Sequence, residues 1–319
     1  MFTSSTSMRP PCRCRLVGAA VILATLMLAP AARAQDAEPK HVFRVAQTTM
    51  KEVALLHRAD LRDFGRPDVR EIPGRKPRHV LMEARRVYES VQQLRFLNGL
   101  ERKELKPVPV RHVRPADVRE MGDRALAELR ELREVYGVEE VVEQPPLREG
   151  ITPTDVHVKF RELQAALRGL GVPAIVPNDV YRRAEMLANE LDKLADHYGV
   201  AGRQPVEEPS TDKTPPDVYA RATDLAARVA SVIEDAPNLN VPGGVSRPPA
   251  PDHEPTPADV LGVIRLLLAD VTAIKAELGI ESPAEVPPQR VGRTPSDVYD
   301  LARVCARIVG RIESKLNAS

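Results

Sequence analysis

The chain has 319 residues, with 46 Lys and Arg against 45 Asp and Glu and a formal net charge of +1. So even a balance carries neither a nucleic-acid footprint nor a polybasic membrane patch, and the two signs are interspersed as on solvated helix faces. Trp is absent and aromatics make up only 3%, which argues against a carbohydrate-binding face of stacked rings.

At the N-terminus Arg9, Arg13 and Arg15 precede an apolar run from Leu16 to Pro30, followed by Ala32-Arg33-Ala34. A basic start, a short apolar run and small residues at the two positions a signal peptidase reads make residues 1–34 a signal peptide, cleaved after Ala34. An uncleaved anchor is the competing reading, but the run is short for a span, which takes about twenty residues. No twin-Arg pair is present, and no Cys follows the apolar run for lipid attachment. Residues 1–34 contain four Arg and no acid, so 42 bases then face 45 acids. Cys12 and Cys14 leave as well, and Cys305 remains alone. One Cys makes no intramolecular bridge, so stability rests on packing even in an oxidising compartment. The expected localisation is periplasmic or secreted, with no integral membrane segment after cleavage.

From Pro39 onward one pattern recurs eight times: Pro, two variable or polar residues, then Val. The prolines are Pro39, Pro77, Pro115, Pro153, Pro177, Pro215, Pro257 and Pro295. Each Val opens an apolar ladder stepping 4, 3, 4, 3. The first reads Val42, Ala46, Thr49, Val53, Leu56 and the second Val80, Ala84, Val87, Val91, Leu94. The third is Val118, Gly122, Ala125, Leu129, Leu132, and the fourth Val156, Phe160, Leu163, Leu167, Leu170. Then come Val180, Ala184, Leu187, Leu191, Leu194 and Val218, Ala222, Leu225, Val229, Val232. The last two are Val260, Ile264, Leu267, Val271, Ile274 and Val298, Ala302, Cys305, Val309, Ile312. This spacing lays five residues along one stripe of an α-helix. The second rung is mostly small, which lets helix axes approach closely.

The flanking residues mark helix ends. Thr152, Thr214, Thr256 and Thr294 stand at the N-cap, and the next Pro takes the first helical position, where its missing N–H costs nothing. Asp155, Asp217, Asp259 and Asp297 lie in the first turn, favoured by the helix dipole. His41 and His79 stand where other copies carry Asp. A ligand site built from these Asp and the following Tyr181, Tyr219 or Tyr299 is the functional alternative, and capping already accounts for the residue types. Tyr136-Gly137-Val138, Tyr198-Gly199-Val200 and Leu278-Gly279-Ile280 read as Schellman-type stops.

The ladder-opening Val residues step by 38, 38, 38, 24, 38, 42 and 38. Pairing consecutive helices gives a constant 38 inside each pair and variable steps outside, which points to the helix pair as the unit. The expected organisation is a signal peptide (1–34), pair 1 (35–110), pair 2 (111–174), pair 3 (175–240), a Pro/Gly-rich linker (241–255) and pair 4 (256–319). The fold class is all-α: eight short amphipathic helices in four helix-linker-helix pairs, forming a bundle or solenoid-like array. Within-pair linkers such as Gly199 to Lys213 are long enough either to run back along a helix or to close a loop at one end. Leu170 to Pro177 is too short to return, so the fourth and fifth helices are expected to be antiparallel neighbours. Asn238 to Glu254 is expected to be an ordinary surface connector.

No motif carries chemistry. His41, His57, His79, His112, His157, His197 and His253 show no short metal-ligand pairing, and the expected reading is solvated or capping His. Cys305 sits in a ladder as a small hydrophobe. Glu139-Glu140 and Glu207-Glu208 fall in Pro-rich linkers, where solvation is the default. No G-x-S-x-G, P-loop or H-E-x-x-H occurs. The sequence therefore leads to no catalytic, cofactor-binding or metal residue and to no cofactor. The expected function is an exported, non-enzymatic binding or scaffold protein with a protein partner and no nucleic acid. The alternative is a small-ligand-binding protein or enzyme with a pocket between helix pairs, and a deep pocket lined by convergent polar groups is what would favour it.

Overall fold

The computed structural model describes residues 37–318, apart from 66, 68, 237, 238, 246 and 249. The signal peptide expected over 1–34 lies outside the described residues. Eight repeat helices begin at the eight expected prolines. They are α1 (Pro39–Ala59), α2 (Pro77–Leu97), α3 (Pro115–Arg130), α5 (Pro153–Gly169), α6 (Pro177–Tyr198), α7 (Pro215–Asp235), α8 (Pro257–Glu277) and α9 (Pro295–Asn317); a single turn, α4 (Leu132–Val135), continues α3 past Glu131. There is no strand among the described residues. The chain is all-α, built from packed repeat helices.

Local chemistry sets the helix ends. At Thr152, Thr256 and Thr294 the hydroxyl accepts the N–H of the Asp three residues on. That Asp carboxylate in turn accepts the Thr N–H at 2.8–2.9 Å. In α1 and α2 the substituting His does the same work: Nδ1 of His41 and of His79 accepts the N–H of Glu38 and of Lys76 at 3.0 and 3.1 Å. At the far end of α6, Gly199 adopts the left-handed conformation, φ 65°, and the Val200 N–H reaches back to the Ala195 carbonyl at 3.0 Å. The same closure follows Gly137 and Gly279. Every rung of all eight ladders is buried.

The helices group by four. α1 and α2 both pack on α3 and α5, so they occupy opposite corners of one bundle; α6 and α7 likewise both pack on α8 and α9. Pro39, Pro77, Pro115 and Pro153 surround one small space together with Val42, Val80, Val118 and Val156. The Pro and Val residues that open α6, α7, α8 and α9 do the same in the second bundle. Four N-termini therefore meet at one end of each bundle, and the four helices run parallel. Equivalent ladder rungs then form layers. In the second layer of the first bundle, Phe160 fills the centre and Gly122 makes the room: a Cβ there would sit 3.5 Å from the Phe160 ring and 3.1 Å from Val45. Side-by-side parallel dipoles are unfavourable, and the first-turn Asp residues offset the positive ends.

Parallel neighbours require a return trip. A helix of twenty-one residues is about 30 Å long, and the linkers cover it by running antiparallel along a helix surface. The α1–α2 linker descends α5: Arg62 donates to the Gly169 carbonyl at 2.9 Å, Arg161 to Arg70 at 2.8 Å, and the Arg75 N–H to Thr154 Oγ1 at 3.2 Å. The α6–α7 linker follows α9 through Arg311 to Ala201, Ser210 to Asp300 and Lys213 to Ser296, at 2.7–3.0 Å. Val206 of this linker packs on the core. The α8–α9 linker follows α6 through Lys193 to Pro283 and Arg293 to Asn178. The period of 38 is thus one helix plus one return.

Three expectations change. The helix pair is not a packed unit, because the two helices of each pair stand on opposite corners of a bundle and the contacts that bury each face come from the bundle's other pair. α5 and α6 run in opposite directions, since their short connection makes no return, yet α2 and α8 make the principal contact between the bundles. The stretch before α8 is not a free connector: Leu239 and Val241 are buried, and the Pro242 and Gly244 carbonyls accept from the Arg78 guanidinium.

Candidate functional site

The α2–α8 contact is polar. Arg78 donates to Asp270 at 2.8 Å, and His79 meets the same carboxylate at 2.9 Å. Because His79 Nδ1 accepts the capping N–H, Nε2 carries the proton and donates to Asp270. Further along α2, Glu89 pairs with Arg265 at 2.7 Å and with Arg183. Burial alone would raise the Glu89 pKa, but the charges of Arg183, Arg265 and Arg85 outweigh it and hold the carboxyl at about 2. These groups satisfy one another and fix how the two bundles meet.

Beside this contact lies a groove of about 700 Å³. The return linker before α2 contributes Arg70 and Arg75, α2 contributes Glu83 and Arg86, and α5 contributes His157, Arg161, Gln164 and Arg168. The opposite side comes from Asp252 and His253 and from Asp259, Gly262, Val263 and Leu266 at the start of α8. The fold produces this convergence because α5 carries its polar groups at steps of 4, 3 and 4, one stripe beside its ladder, and the linker lies along that stripe.

Charge in the groove is not balanced locally. The ion pairs of this region join Arg78 and His79 to Asp270, Arg86 to Glu83, Arg265 and Arg183 to Glu89, and His253 to Asp252 and Asp259, and Arg70, Arg75, Arg161 and Arg168 take part in none of them. Arg75 is 2% exposed, and none of its three guanidinium nitrogens meets an acceptor among the described residues. Burial lowers its pKa to about 10, against the opposing pull of Asp270 and Glu83, so it remains charged at neutral pH. His157 is 4% exposed with Nδ1 unpartnered. Burial drives its pKa down to about 4; Glu83 opposes this, and Arg75 and Arg161 add to it. His157 is therefore neutral, with Nδ1 available to hydrogen-bond.

Gly262 is the other unusual wall residue. It lies inside α8, where Gly costs roughly 1 kcal/mol relative to Ala, and a Cβ at this position would meet nothing within 4 Å. Packing does not require it, and without a side chain the helix backbone lies open to the groove. A second inter-bundle pocket, about 280 Å³ and lined by Lys76, Arg78, Met82 and Thr272, is a weaker candidate because the Arg78 guanidinium is already fully engaged.

Several sequence-level readings are revised. His57, His79 and His157 are buried rather than solvated, although His41 and His79 do cap their helices. Cys305 lies in the core with its thiol pushed up to about 12 by burial. Glu139, Glu140, Glu207 and Glu208 are exposed. The arginine groove was missed. Its one sequence signal is the α5 stripe of His157, Arg161, Gln164 and Arg168, which contains no acid. No group of three or more His, Cys, Asp or Glu arranged to hold a metal occurs among the described residues, and none of their helices is long and apolar enough to cross a membrane. In comparisons with known proteins, no family model, curated protein or solved structure matches this chain.

Proposed function

We propose that the protein is an exported, non-enzymatic binding protein whose ligand site is the groove between the two bundles. The observation that carries this reading is the convergence of five arginines and a buried His on one groove of about 700 Å³, a size suited to a small molecule. Gly262 supports it, because its lost helix stability keeps the wall open. Export rests on the N-terminal sequence alone. The groove favours a small ligand over a protein partner, since the polar groups converge inward instead of spreading over a flat surface.

The test is native mass spectrometry of protein purified from its own envelope fraction, wild type beside Gly262→Trp. The added ring enters open space, so the variant should keep its thermal midpoint. Wild type should carry a small-molecule mass that denaturation releases, and the variant should lack it. If wild type carries none, and a small-molecule extract changes neither its mass nor its midpoint, the groove is not a ligand site.

A further inference from the structure

We propose that the inner end of the groove is an oxyanion subsite, and that the ligand carries at least two negative charges, as a phosphate monoester or a polycarboxylate, on an apolar body. This rests on the groove being the ligand site. Arg75 is the anchor. A buried guanidinium with none of its donors met is costly, and such a group in a folded protein calls for a functional explanation. Its planar fork matches carboxylate and phosphoryl oxygens through paired hydrogen bonds, which a neutral ligand would not supply.

The charge requirement follows from the neighbours. Arg161 and Arg168 face the same space without an ion-pair partner. Four acids line or act on this cluster, and each is already engaged. Asp252 is held by His253 at 2.9 Å. Asp270 of α8 is held by Arg78 and His79. Asp259 caps α8 and meets His253 at 3.1 Å. Glu83 of α2 lies 3.8 Å from Arg86. With Arg70 set against Asp252, Arg75, Arg161 and Arg168 present three positive charges. A monoanion leaves two of them unbalanced, whereas a dianion or trianion nearly neutralises the site. Gln164 Nε2, buried and unpartnered, offers one more donor. The apolar body is inferred from Val69, Ile72, Val263 and Leu266, which line the same groove.

The probes are phenyl phosphate, citrate and acetate, titrated calorimetrically into the full protein at constant ionic strength. Phenyl phosphate or citrate should bind at least tenfold more tightly than acetate. The tighter of the two assigns the source as phosphoryl or polycarboxylate. Arg75→Met should weaken that binding at least tenfold, while Arg247→Met, at an exposed cation outside the groove, should not change it. As a readout independent of the variants, the His157 imidazole pKa, followed by NMR, should rise by more than one unit with the polyanion bound. Absence of binding by both polyanions, or equal binding by Arg75→Met, overturns the oxyanion subsite. If Gly262→Trp still removes a co-purified molecule in that case, the groove remains the ligand site and only its anionic character falls. If it does not, both readings fall.

Discussion

Replacing Arg75 by Met should make the unliganded protein more stable, although it removes a buried side chain. Burial lowers the guanidinium pKa from 12.5 to about 10. Each unit corresponds to 1.36 kcal/mol, so the charged side chain disfavours the folded state by about 3 kcal/mol at neutral pH. The sign follows from the direction of the shift. The folded pKa lies below the unfolded one, so the penalty is complete below about pH 10 and disappears as the pH rises toward 12.5. Met keeps an unbranched stem in the same space and retains the backbone N–H that Thr154 Oγ1 accepts. Some packing is lost, which leaves an expected gain of about 1–3 kcal/mol, as when buried charges are replaced by apolar side chains. Urea unfolding at pH 7, with midpoints compared at unchanged m-values, measures it. A loss of more than about 1 kcal/mol would show that the folded protein satisfies the guanidinium internally, and the case for a subsite held open for an anion would collapse.

Leu191, 1% exposed in the second core, should cost roughly 2–5 kcal/mol on truncation to Ala. Thr214→Ala, which removes only a hydroxyl bonded to Asp217, should cost about 1 kcal/mol; equal urea midpoints for the two would reject this division between core and cap. Cys305 should resist thiol reagents until the protein unfolds, because it is buried with its pKa at about 12, and rapid labelling of native protein would contradict that placement. Three residues inserted after Gln204 or after Gly244 should each lower stability by more than about 1 kcal/mol, against the few tenths that added length in a flexible loop costs. The first insertion displaces the contacts to Asp300 and Arg311, and the second moves the Gly244 carbonyl away from Arg78; a midpoint close to wild type at either place would mean that linker is not held. His157 has a folded pKa of about 4 against 6.5 unfolded, so the unfolded chain binds the extra proton and stability falls as pH drops from 6.5 to 4, by about 3 kcal/mol. His157→Gln should flatten that part of the pH profile, and an unchanged slope would place the titration elsewhere.

The eight helices were legible because everything that defines them is local. A ladder such as Val180, Ala184, Leu187, Leu191 and Leu194 needs only the helical period to share a face. Thr294, Pro295 and Asp297 need only their own backbone to start a helix, and even His79 was recognisable as a stand-in for the capping Asp. Helix direction was not legible in this way. An amphipathic stripe buries equally well against parallel or antiparallel neighbours, so the period of 38 fitted either a stacked pair or a helix with its return. Only the tertiary structure, by laying Ala201 to Lys213 along α9 and bringing four Pro-Val corners together, decided for parallel bundles of four. The same limit hid the groove. In sequence Arg75 is an unremarkable base in a linker, and its charge has meaning only through what faces it. The sequence determined which side chains leave each helix stripe. Whether an arginine there meets water, a carboxylate or another arginine depends on residues about 80 to 190 positions away, and the packing of α8 on α2, across the groove from α5, settled that for Arg75, Arg161 and Arg168.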